Sequence, residues 1–252
     1  MLKIGTKSFR SGNPALNQKT FENLSNIKDT KMTLDGTINK TTISICLLMT
    51  SAYFTYTNGI LDYIIIGFVF GFVLAIVTIF KKEWSPITVP FYAVLEGLAM
   101  GGISKIYADA FSPGLIPQAI TLTIAILVSL LFAYKTKIIN VTENFKLGVF
   151  AATCGIAIVY VASFLMSLFG NGGLEFMDPS NSSIMSVGIS LFIVIVASLN
   201  LVLDFDYIEN AVKNGAPKYM EWYGAFGLLV TLIWLYMEIL RLLAKLRSRG
   251  RY

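Results

Sequence analysis

The chain has 252 residues, 55% hydrophobic and only 14% charged, with a net charge of +5 and no histidine. A soluble domain is usually about 25% charged, so with a mean hydropathy of +0.68 the sequence reads as an integral membrane protein. The missing histidine argues against a zinc or haem centre and against Ser-His or Cys-His hydrolysis, so no enzymatic activity and no cofactor are expected. The two cysteines, Cys46 and Cys154, both lie in apolar runs and read as small packing residues.

Residues 1–40 are polar, rich in Ser, Asn, Thr and Lys, and hold no apolar run. No cleavable signal peptide is therefore expected, and insertion should begin with the run that opens near Thr41. Seven runs then approach or reach the roughly 20 residues that cross a bilayer: Thr41–Thr57, Ile60–Phe80, Ile87–Tyr107, Leu115–Tyr134, Leu147–Phe169, Ile184–Leu203 and Tyr223–Leu243. Short connections join them, so residues 41–246 read as one all-α, seven-segment polytopic membrane domain, followed by a basic tail at 247–252. Gly67 and Gly71 on the second run, and Gly97, Gly101 and Gly102 on the third, would let helix backbones approach closely in lipid.

Lys and Arg fall unequally on the two sides. Seven lie in residues 1–40, and seven more lie in or beside the 2–3, 4–5 and 6–7 connections, including Lys81, Lys146 and Lys213. The opposite side has only Lys105, near a helix end. The positive-inside rule then places the N-terminus in the cytoplasm of a multi-pass cell-membrane protein, and it explains the basic charge without nucleic acid. The tail breaks the pattern. Arg241, Lys245, Arg247, Arg249 and Arg251 would lie outside after seven full crossings, so the last segment either crosses with its charge or returns as a re-entrant span.

Four carboxylates are the candidates for function. Glu238 lies within the last run, Asp204 and Asp206 at the end of the sixth, and Glu96 within the third. An Asp at the bilayer centre costs about 2.5–3.5 kcal/mol even on lenient scales, so such groups face a bundle interior, a water path or a partner. Arg241, three residues from Glu238, offers a salt bridge on the same helical face. Glu96 could line a cation path or hydrogen-bond a neighbouring helix, while Asp206 and Glu209, close to Lys213, read first as solvated charges. Two carboxylates sharing a dry site cannot both ionise cheaply and would titrate as a unit, a pH switch without histidine. Residue counting strains an Asp204–Glu238 pair. At about 1.5 Å per residue, Asp204 falls near the cytoplasmic surface and Glu238 some 22 Å further on, unless the last segment returns.

Four segments carry a resemblance: Phe9–Asn17 (FRSGNPALN), Met32–Thr41 (MTLDGTINKT), Leu95–Ser104 (LEGLAMGGIS) and Phe226–Leu243 (FGLLVTLIWLYMEILRLL). Together they resemble a bacterial branch of the Bax inhibitor / YccA family, also called the transmembrane Bax inhibitor motif family. The resemblance implies six helices around a central C-terminal one, and a pH-sensitive calcium leak gated by an aspartate pair on the sixth and seventh helices. On this chain the pair maps to Asp204 and to Glu238, where Glu replaces the family's Asp, with transient calcium at the two. Family members also act as non-conducting regulators that bind a membrane complex such as a quality-control protease, for which the polar N-terminal segment would be the contact. An intramembrane aspartyl protease is disfavoured, because no Gly-x-Gly-Asp segment accompanies Asp204.

Overall fold

A computed structural model describes residues 31–170 and 172–249. The Phe9–Asn17 segment, most of the polar N-terminal region and the last three residues lie outside them. The described chain forms seven helices: α1 (Leu34–Asn58), α2 (Asp62–Phe80), α3 (Ser85–Ala110), α4 (Leu115–Lys135), α5 (Glu143–Leu168), α6 (Ile184–Lys213) and α7 (Met220–Arg249). Six of them, all but α1, are long and apolar enough to cross a membrane.

Local chemistry sets the helix boundaries. Thr33, Thr142 and Ser183 cap α1, α5 and α6, each accepting a hydrogen bond from a first-turn N–H. At the turn into α2, Gly59 adopts φ 65°, a left-handed conformation that ends α1 without the strain a side chain would bring. α6 continues ten residues past the apolar run that stops at Leu203. That polar extension holds together through Lys213, which bonds Glu209 one turn back at 2.6 Å.

α7 is central. It packs against α1, α3, α4 and α6, whereas α2 packs chiefly on α3, and α5 chiefly on α6. The last segment is one unbroken 30-residue helix, about 45 Å long. At its far end Lys245 donates to Ser186 O and Ser190 Oγ in the first turns of α6, at 3.3 and 2.8 Å. The last segment therefore runs antiparallel to α6 as one continuous helix long enough to cross a membrane, and does not turn back. Gly224 and Gly227 lie inside the helix and are buried.

At the opposite end, the segment entering α1 is fastened to the α6–α7 turn. Met32 N donates to Ala216 O at 2.7 Å, and Lys31 bridges Pro217. The fully buried Glu221 of α7 accepts from Thr33 N at 3.0 Å, from Thr33 Oγ1 at 2.9 Å and from Lys218. Gly36 leaves room for that carboxylate; a Cβ there would lie 2.0 Å from Glu221 Oε1.

Candidate functional site

Glu238 is 1% exposed, in the C-terminal half of α7. Arg241 Nη1 donates to both of its oxygens, at 2.9 and 2.8 Å, because residues three apart lie one above the other on a helix. The Tyr160 hydroxyl of α5 donates to Glu238 Oε1, Arg241 Nη1 reaches the same hydroxyl at 3.1 Å, and the guanidinium lies over the tyrosine ring, 5.6 Å from its centre. A buried charge pair is tolerated when its geometry is good and its remaining lone pairs are satisfied, conditions that Tyr160 helps to meet. The expected Glu238–Arg241 salt bridge is present, with a third member on another helix.

Asp204 is fully buried and accepts from Thr231 Oγ1 of α7 at 2.6 Å. Thr231 precedes Glu238 by seven residues, so the two carboxylates sit about 10 Å apart along α7. The structure does not form the expected Asp204–Glu238 pair: no hydrogen bond joins them, and each is taken by a different neighbour. Asp204 is enclosed by the bundle, with α6 running on past it as a helix to Lys213.

Asp206 also departs from expectation. Instead of a solvated loop-end charge, it forms a half-buried ion pair at 2.8 Å with Lys146 of α5, itself only 3% exposed, and accepts from Asn210 at 3.1 Å. Glu209 bonds Lys213 and accepts from the Tyr134 hydroxyl of α4. Glu96 is remote from these groups. It is 7% exposed, on α3, and its Oε1 faces Gly71 of α2, where a Cβ would stand 2.8 Å away. Among the described residues Glu96 makes no hydrogen bond or ion pair, so of the two roles considered for it the bond to a neighbouring helix is not formed.

Sequence reasoning missed Lys146, Thr153, Tyr160, Asn200, Glu221 and Lys245. Lys146 and Lys245 read as loop and tail charges, yet both are buried. Among the described residues the hydrogen bonds of Lys245 Nζ go to neutral oxygens: Ser190 Oγ, Ser186 O and Phe176 O in the α5–α6 connection. One sequence signal was available. Lys146, Thr153 and Tyr160 recur every seven residues, an interval that returns to the same helix face.

A bundle of apolar helices around a central helix bearing buried charges defines a multi-pass membrane protein. Residues 13–248 match the model of the family described as Bax inhibitor 1 like, and the chain belongs to that family. Comparison with curated proteins and with solved structures gives no match.

Proposed function

We propose that the protein is a pH-sensitive, calcium-permeable cation leak of the cell membrane, with its N-terminal face in the cytoplasm. The observation that carries this reading is Glu238, buried in a membrane-crossing helix and neutralised by the chain's own Arg241. A permeant cation needs oxygen ligands, which Glu238 and Tyr160 offer, and Arg241 occupies the place such a cation would take. This conformation is accordingly the closed one. Arg241, Tyr160, Tyr107 and Lys245 are the titratable groups that act on or beside Glu238.

The pH sign follows from charge. Protonating Glu238 leaves Arg241 as a net positive charge that repels cations, and protonating Asp204 or Asp206 removes further attraction. Flux should therefore fall on acidification, although the carboxylates act separately and not as one proton-sharing pair.

The test is calcium flux in proteoliposomes over a pH series. The wild type should conduct less at acid pH, and the Glu238→Gln/Arg241→Gln protein, which neutralises both charges together, should lose most of that dependence. An unchanged pH profile in that protein removes Glu238 from the mechanism. Absence of flux at every pH contradicts the leak and favours a non-conducting regulator of another membrane complex, such as a protease.

A further inference from the structure

α5 meets the rest of the bundle along one stripe. Lys146, Val149, Thr153, Ile156, Tyr160 and Ser163 alternate three and four residues apart and are its inward-facing positions. Three of them, a heptad apart, are polar and each bonds another helix. Lys146 pairs with Asp206 at 2.8 Å, Thr153 Oγ1 accepts from Asn200 Nδ2 at 2.8 Å, and Tyr160 donates to Glu238. From Lys146 to Ser163 the stripe covers about 25 Å, close to the roughly 30 Å hydrocarbon thickness of a bilayer. Other helix pairs are linked as well: Thr78–Thr88 joins α2 to α3, Ser104–Tyr236 joins α3 to α7, Tyr134–Glu209 joins α4 to α6, and Asp204–Thr231 and Lys245–Ser190 join α6 to α7.

The two ends of the seam are alike. Each has a carboxylate, Asp206 or Glu238, held by a cation from the chain itself, Lys146 or Arg241. Between them the Thr153–Asn200 rung is neutral, and Val149 and Ile156 close the intervals. A rival route is the cavity of about 470 Å³ between α1, α3, α4 and α7. It is lined mostly by side chains such as Leu48, Met100, Ile120 and Leu232, with a few hydroxyls such as Ser104 and Thr123 and no carboxylate, so it offers a cation no charge in place of its water.

We propose that α5 is the gate helix and that the cation path is the seam between α5 and the α6–α7 pair, opened when α5 moves outward. This rests on the cation-leak reading and specifies its route. The movement carries Lys146 away from Asp206, exposing that carboxylate to the permeant cation, and carries Tyr160 away from Glu238, which keeps Arg241 of its own helix as its remaining partner. It costs little in the middle, where the single neutral Thr153–Asn200 hydrogen bond is a weak tie between membrane helices. The opposite surface of α5 does not hinder the movement: a Cβ at Gly148 or Gly155 would meet nothing within 4 Å.

The test locks the seam. In a Cys46→Ser/Cys154→Ser background, Thr153→Cys and Asn200→Cys are joined in detergent by a short, reducible bis-methanethiosulfonate bridge, and the protein is reconstituted. Calcium flux should fall to the level of protein-free liposomes and return on reduction. Undiminished flux from fully bridged protein overturns the route and leaves the leak standing; no flux from the wild type overturns both. Should the bridged protein fail to fold, Ile156→Cys in the same background replaces it. A membrane-impermeant thiol reagent should modify it under conducting conditions and spare Ile158→Cys on the lipid face, and equal protection of the two overturns the route.

Discussion

α2 and α5 both sit at the edge of the bundle, and in each only 17% of the apolar window is buried. They are fastened by different physics. α2 is held by close backbone approach. A Cβ at Gly67 would lie 2.4 Å from Leu95 O and 2.9 Å from Ala99 N, and one at Gly71 would lie 2.8 Å from Glu96 Oε1. α5 is held by polar rungs, while its own glycines face open space. In lipid, where apolar surfaces gain little from burial against one another, small-residue packing and interhelical hydrogen bonds remain the main adhesives. Packing against backbone has no second arrangement to fall into. Hydrogen bonds and ion pairs do, because water or a cation can replace either partner. Equal burial thus conceals a fixed helix and an exchangeable one.

The largest expected effect lies on the exchangeable side. Glu238→Gln alone leaves Arg241 without its counter-charge and should lower stability by about 3 kcal/mol, read as earlier thermal unfolding in detergent. Adding Arg241→Gln should recover much of that loss. If the double change is no better than the single one, the pair is not what stabilises this site. A smaller effect belongs to the fixed side. Gly67→Val forces a side chain against the backbone of α3 and should cost about 1–3 kcal/mol. The matching change on α5, Gly155→Val, should stay within about 0.5 kcal/mol, as for an unencumbered surface position. Similar losses at both positions would erase the distinction between the two helices.

Much of this fold was legible from hydropathy alone, since runs of about 20 apolar residues have few alternatives to a membrane helix. The site was only half legible. Arg241 was found because it sits three residues from Glu238, within reach of a helix-face argument. The partners of Asp204 and Asp206 were not, because Thr231 and Lys146 lie 27 and 60 positions away and only packing brings them together. Lys146 misled for a further reason. A lysine at the edge of an apolar run reads as a headgroup charge that orients the helix, and nothing local distinguishes it from one that has found a carboxylate. The basic tail suggested a returning helix, but Lys245 is accommodated at the far end of one continuous helix by carbonyl and hydroxyl oxygens of α6 and the connection before it.

The central claim, that α5 separates from the bundle while α2 does not, can be measured as distance. Spin labels at Ile158 on α5 and Ile65 on α2, each paired with a label at Phe91 on α3, all lie on exposed positions. In liposomes at the pH of greatest flux, pulsed dipolar spectroscopy should show a second, longer distance for the α5 pair, which disappears on acidification. The α2 pair should keep a single narrow distance throughout. One unchanging distance for both pairs, or a split confined to α2, would contradict the account.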